Sequence, residues 1–288
     1  MSKSRLFYNF GKIIFYYYLI LFFLLCILAF FCSFYFLFFN KRFPMNEIED
    51  SPLFNSWFSD VASGMLYDMS YIQKYYVLEL PLLFKQISKN SVFLDIGSGA
   101  GEASSFHLQH FFGKDVKIIL SDLHPKIELW KKLENDNISY IKEPVDATDL
   151  SNIKEKYTIV SCFGSFHHMD EKTIQKIFFQ IRKEKKQILI VEPRRFPNAL
   201  QFLHILTLPM TGFVSYNLIS LFGSAITNSD LLTGITRFLF VPFFMTWDHI
   251  LGASRRYHPT EIQSLGNEMG LKMFHDSDLV FDYYILQP

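Results

Sequence analysis

Cysteine is scarce in this chain: Cys26, Cys32 and Cys162 are the only three in 288 residues. Two lie in an apolar run and none has the spacing of a zinc ligand, so neither a disulfide framework nor a zinc module is present. An excess of either charge is also missing. The 28 basic and 28 acidic residues cancel, and no overall electrostatic pull toward nucleic acid follows. Charged residues are only 19% against 50% hydrophobic, which excludes a disordered or acidic-tail protein. Internal repeats are absent. What the chain has in abundance is phenylalanine, 33 residues in all. Much of it sits in unbroken apolar runs, which makes a lipid bilayer the first partner to consider. The length suits one large domain with an appendage, or two small domains.

Ile13 to Phe39 is 27 residues without a charge. As a helix it would be about 40 Å long against about 30 Å of hydrocarbon. It spans with tilt, or with Tyr16, Tyr17 and Tyr18 in the headgroup belt. A cleaved signal peptide has a shorter apolar core, and Lys41-Arg42 reads as a stop-transfer flank. Every face is apolar, unlike a helix buried at the edge of a soluble core. Lys3, Arg5 and Lys12 before the run and Lys41 and Arg42 after it do not settle its orientation. The segments are thus 1–42, a tail and membrane anchor; 43–90, a linker with helices over 61–88; and 91–288, a single larger domain.

From residue 91 short apolar runs alternate with amphipathic stretches. Strands are expected at Val92–Ile96, Val116–Ser121, Ile138–Lys142, Tyr157–Phe163 and Gln187–Glu192. Helices are expected at 101–112, 125–134, 148–155 and 170–183. Five βα units in a row predict an α/β fold with a doubly wound, Rossmann-like parallel sheet. Asp170 reads as a helix N-cap and Gly113 as a C-cap. A last helix runs from Pro259 to Gly270, and two strands follow at Leu271–His275 and Leu279–Leu286.

The sharpest motif is Val92-Phe93-Leu94-Asp95-Ile96-Gly97-Ser98-Gly99-Ala100-Gly101, a buried strand entering G-x-G-x-G and then a helix. The glycines permit a tight turn and close approach of a ligand to the backbone. The spacing is not the dinucleotide fingerprint, and Asp95 would repel a pyrophosphate while suiting a ligand with an ammonium group. Asp122 follows the second strand, where a carboxylate accepts both hydroxyls of a ribose; a helix-capping role is the lesser alternative. Asp146-Ala147 follows the third strand, placed to meet an adenine or to close a turn. The fourth strand ends in Phe163-Gly164-Ser165-Phe166-His167-His168, at the edge where open α/β sheets bind ligands.

Together these features resemble the class I S-adenosylmethionine-dependent methyltransferases, over about residues 90–195 and 248–286. The resemblance implies a seven-stranded sheet with an antiparallel last strand and S-adenosylmethionine as cofactor. It places Gly97 and Gly99 on the methionine moiety, Asp95 near its amino end, Asp122 on the ribose and Asp146 on the adenine amino group. Ser98, Gly101, Leu123, Ala147 and Phe163 complete the implied cofactor set. Such an enzyme needs a cytosolic cofactor, which would put the domain in the cytosol.

Methyl transfer to a hydroxyl needs a base, and His167 and His168 are the candidates. Against that, one would pack and the other cap the helix starting near Asp170. Their adjacency, without a companion carboxylate or cysteine pair, excludes a metal site. Arg255 and Arg256 suit an anionic substrate group or a membrane interface. The apolar block 196–247 is an insertion that a minimal family member lacks. Ala199–Phe222 and Leu231–Trp247 read as two helices, broken by Pro209, Gly212 and Pro242, favoured as a pair lying shallow in the membrane as a substrate lid with Arg237 snorkelling outward; a full membrane-crossing hairpin, and helices that only pack on each other and the anchor, are the alternatives. That would imply a small apolar or lipid-like acceptor. An NAD- or nucleotide-sugar-binding Rossmann enzyme, or a non-catalytic membrane protein retaining the fold, are the rival readings.

Overall fold

The computed structural model describes residues 3–39, 42, 82–88, 90–222, 231–278 and 280–288. The expected helices over 61–88 fall mostly outside them; Leu82–Gln86 forms a 3-10 turn. By internal packing the chain divides into two units. One comprises Met1–Met65 and Phe196–Arg255, the other Leu66–Arg195 and Arg256–Pro288.

The second unit is a seven-stranded sheet. Its strands are β1 (Val92–Ile96), β2 (Lys117–Ser121), β3 (Ile138–Tyr140), β4 (Ile159–Phe163), β5 (Gln187–Pro193), β6 (Lys272–Ser277) and β7 (Phe281–Gln287). The order is β3-β2-β1-β4-β5-β7-β6. The first five strands are parallel, and β7 runs antiparallel to both β5 and β6. The seven-stranded sheet and the reversed last strand are thus those the resemblance implies. The apolar strands are buried on both faces, as parallel strands must be. Leu94 and Ile96 join Val160, Cys162, Ile188 and Ile190 in one core layer. Phe93 joins Ile118, Leu120, Ile159 and Leu189 in the other.

The helices differ more from expectation. α2 (Glu102–Phe112) ends at Gly113, whose φ of 98° and N–H bond to the Gln109 carbonyl make the C-cap. The helix expected at 125–134 is a single turn, α3 (Ile127–Trp130), extended by turns. The helix expected at 148–155 does not form. Asp146 takes the Thr148 N–H and hydroxyl, and Asp149 takes those of Ser151. Short polar side chains that bond their own backbone compete with helix formation. α4 (Glu171–Lys183) begins as read, with Asp170 accepting the Thr173 N–H at 2.8 Å.

The first unit contains α1 (Lys3–Phe39), α5 (Asn198–Phe222) and α6 (Leu231–Arg255). Leu25, Leu28, Ala29 and Cys32 of α1 pack against Ile205 and Leu208 of α5 and Ile250, Leu251 and Ala253 of α6. Two expectations are corrected here. The second helix of the insertion runs 25 residues, to Arg255, rather than stopping at Trp247. Pro209 and Pro242 lie inside continuous helices and do not break them. Both prolines are buried, and threonine hydroxyls bond backbone carbonyls close by, Thr207 to Leu203 and Thr246 to Pro242. Neighbouring helices and such hydroxyls make proline tolerable in apolar helices. A final helix, α7 (Pro259–Glu268), returns to the sheet unit and starts with a capping box between His258 and Glu261.

Candidate active site

Parallel strands place their C-terminal ends on one edge, and a crevice opens where successive connections leave in opposite directions. Here that point lies at β1, between β2 and β4. Residues 97–101 emerge from it with Gly97, Gly99 and Gly101 all at positive φ (63°, 53° and 80°), a region L side chains rarely adopt.

The three glycines serve different ends. A Cβ on Gly101 would come within 2.7 Å of Leu120 Cδ1 and 3.1 Å of Trp130 Cδ1. That glycine therefore lets α2 sit close on the sheet and faces the core. A Cβ on Gly97 would meet the Ser165 side chain at 3.2 Å, while one on Gly99 would meet nothing within 4 Å. Gly99 is half-buried and its Cβ position faces open space, which leaves room for a ligand to approach the turn.

A hydrogen-bond network holds this turn rigid. Ser98 Oγ donates to the Asp95 carbonyl at 2.9 Å, and Ser98 N–H donates to the Ser121 carbonyl at 3.0 Å. Trp130 Nε1 donates to the Gly99 carbonyl at 2.9 Å. Ser165 Oγ donates to the Gly97 carbonyl at 2.8 Å. Asp122 caps no helix: its Oδ2 accepts the Gly99 N–H at 2.9 Å and its Oδ1 the His124 N–H at 2.8 Å. The carboxylate read as a ribose ligand is therefore also the strap that fixes the glycine turn. Asp146 Oδ1 closes a turn on Thr148 from an exposed position, with half-buried Ala147 beside it. Leu123 is 55% exposed, an apolar surface next to Asp122.

Asp95 is fully buried on the α2 face of the sheet. Ser161, its register partner on β4, donates to Oδ1 at 2.9 Å, whereas Oδ2 has no partner among the described residues. Burial pushes its pKa up to about 6; the nearby Ser104, Ser98 and Ser161 hydroxyls draw it back down, and the Asp122 charge adds to the rise. Four acids, Asp95, Glu102, Asp122 and Asp146, follow the ends of β1, β2 and β3. Glu102 occupies the first turn of α2, where an anionic ligand would otherwise be drawn by the helix dipole.

At the ends of β4 and β5 a second group forms. His167 Nδ1 lies 2.6 Å from Glu192 Oε2, and Glu192 Oε1 accepts the Phe166 N–H at 2.7 Å. Burial lowers the His167 pKa; Glu192 pulls it back only in part, and His168, its ring 4.3 Å away, lowers it further. For Glu192 burial acts upward, but the His167 charge and hydrogen bond outweigh it and hold the carboxyl below its usual range. Each shift depends on the charge of the other group, so the two titrate as one buried acid–base pair. An ionised Glu192 can only accept, so Nδ1 carries the hydrogen of this bond. Neither histidine caps α4, since Asp170 does. Phe163 is half-buried, its ring parallel to that of His107 at 5.9 Å. Sequence reading missed Trp130, Ser161, Ser165 and Glu192. Glu192 carried a signal, an acid ending a buried strand, whereas the other three act through contacts no spacing rule exposes.

No protein-family model and no curated protein match the chain. Among solved structures, human N-acetylserotonin methyltransferase in complex with SAM is 12% identical, with a TM-score of 0.46, over 84% of this chain and 62% of that one. An O-methyltransferase family protein from Burkholderia thailandensis is 13% identical, TM-score 0.46, over 80% and 58%. The pyocyanin biosynthetic protein PhzM is 12% identical, TM-score 0.42, over 71% and 52%. This chain therefore spans little more than half the length of such neighbours. At these identities the chemistry has to be read from the chain's own residues.

Proposed function

We propose that this protein is an S-adenosylmethionine-dependent methyltransferase, held at a membrane and acting on a small apolar or lipid-like acceptor. The observation that carries the reading is the acidic glycine turn. Gly99 has no atom within 4 Å of its Cβ position, buried Asp95 immediately precedes the turn and Asp122 is hydrogen-bonded to it. A pyrophosphate-bearing dinucleotide meets repulsion there, while a ligand with an ammonium and a sulfonium group meets attraction. The group fits the residues: Gly97 and Gly99 give the backbone access for its methionine end, Asp122 and Asp146 the acceptors for ribose and adenine, and Leu123 an apolar face.

When bound, the cofactor supplies an electrophilic methyl group on sulfur. The chain's own contribution is to hold donor and acceptor in line and, for a hydroxyl acceptor, to take up a proton. His167 suits that task, because Glu192 holds its ring at 2.6 Å at the crevice ends of β4 and β5. The apolar three-helix unit of the same chain supports an acceptor reached from the bilayer. On this reading the domain faces the cytosol.

The test is S-adenosylmethionine binding to the detergent-solubilised full chain by calorimetry, with NAD run in parallel. Gly99→Val should abolish binding. Asp122→Ala removes a charged hydrogen-bond acceptor worth about 1.5–3 kcal/mol, so affinity should fall roughly ten- to a hundredfold. Unchanged affinity in both variants, or preferential binding of NAD, would sink the assignment. Labelled cofactor with a lipid extract would then identify the acceptor.

A further inference from the structure

Within the three-helix unit, contacts fix how far along each helix its neighbours sit. Tyr17 and Phe240 stack edge to face at 6.1 Å, and Cys32 hydrogen-bonds Ser254. These pairs stand 223 and 222 residues apart in sequence, so α1 and α6 run parallel in constant register. α5 runs the other way: its Phe213 meets Tyr18 and Phe22 of α1. Against α6, His204 of α5 pairs with His249, and Gln201 Nε2 bonds the Ala253 carbonyl at 2.6 Å. Along that register Asn198 is level with Arg255, and Phe222 with Leu231, so α5 and α6 are coextensive along their whole length.

We infer that all three helices cross the bilayer, as an up-down-up bundle whose outer surface fits lipid hydrocarbon. The register places Arg237 level with Ile14 and Arg255 level with Cys32. The interval from Ile14 to Cys32 is about 28 Å of helix, which matches the hydrocarbon thickness. The two arginines of α6 therefore stand at the two faces of the slab. Asp248, the one acid between them, is 7% exposed and lies inside the bundle rather than toward lipid. α5 carries no Asp, Glu, Lys or Arg on any face, so it lacks the polar face an interfacial helix turns to water. Leu200, Leu203, Met210 and Val214 of α5 are each more than half exposed, as are Phe15, Phe23, Ile27 and Phe31 of α1. An apolar surface of that extent on every side suits hydrocarbon and not water.

The bundle has two distinct ends. At one of them α1 and α6 end and α5 begins, and its flanks carry Lys41, Arg42, Arg194, Arg195, Arg255 and Arg256. The other carries Lys3, Arg5, Lys12 and Arg237. The ratio of six basic residues to four does not set the orientation; the cytosolic cofactor of the proposed function does, which puts this end on the cytosolic side and the Phe222 and Leu231 ends of α5 and α6 on the opposite one.

The test is labelling with a membrane-impermeant maleimide in sealed vesicles of known sidedness. The native chain is the blank, because Cys26, Cys32 and Cys162 are half-buried or buried. Lys176→Cys, at an exposed position of α4, should label only from the cytosolic face. Ser229→Cys should label only from the opposite face. Labelling of both from the same face, or of Ser229→Cys only after detergent, overturns the three-span bundle and restores a shallow pair. Neither outcome bears on cofactor binding, so failure here leaves the methyl-transfer reading standing.

Discussion

Asp95 shows how one side chain joins stability to function. It is fully buried beside the glycine turn, with a single hydroxyl on Oδ1. Burial raises its pKa from 3.8 to about 6, so the folded state keeps a proton that the unfolded chain releases. The resulting stability is fully present below pH 3.8, falls as pH rises to about 6, and is gone above that. The loss across this window amounts to about 3 kcal/mol. Asp95→Asn cannot titrate and should lack this decline. Thermal unfolding of the full chain in detergent between pH 4 and 7 measures it. Equal slopes in the native chain and the variant would show that Asp95 does not titrate in this way. A bound cationic ligand would favour the ionised form, so the site holds its acid in readiness at some cost to the empty fold.

At the level of elements, α4 and the segment 148–155 make a useful contrast. Both begin with an aspartate followed by residues with helical potential. In α4 the Asp170 cap feeds Ile174, Ile177, Phe178 and Ile181 into the core at helical spacing. In 148–155 the polar side chains close successive turns, and only Leu150 is fully buried, with Ile153 partly so. Helical stability comes mainly from an apolar face finding a partner, and the second segment has too little of one. Asp170→Ala should therefore lower stability by about 1 kcal/mol, with faster amide exchange confined to the first turn of α4. Unaltered exchange at Thr173, whose N–H the cap accepts, would show that the cap contributes nothing.

For the whole molecule, the three-span proposal shares membrane attachment between α1 and the α5–α6 hairpin, where composition along the chain suggested a lone anchor with a shallow lid. A chain lacking residues 1–42 should consequently still float with liposomes, because α5 and α6 remain coextensive and apolar. It should require lipid or detergent to stay monomeric, since Ile205, Leu208, Ile250 and Leu251 lose their partners on α1. A truncated protein that stays in solution without either would assign attachment to α1 alone.

The sequence by itself determined what depends on local pattern. Apolar runs and turn residues placed the strands to within two or three residues, because buried parallel strands are apolar throughout. The G-x-G-x-G turn after Asp95 was legible because glycine takes those backbone angles readily, and the helix over Ile13–Phe39 because an uncharged run of that length is long and apolar enough to cross a membrane. Only the tertiary structure decided matters of register and contact. It assigned Gly101 to packing and Gly99 to open space, joined Asp122 to the turn across 23 residues, and paired His167 with Glu192 across 25. It also carried α6 past Trp247 and through Pro242, because burial against α1 and α5 sustains a helix that the local sequence alone would end.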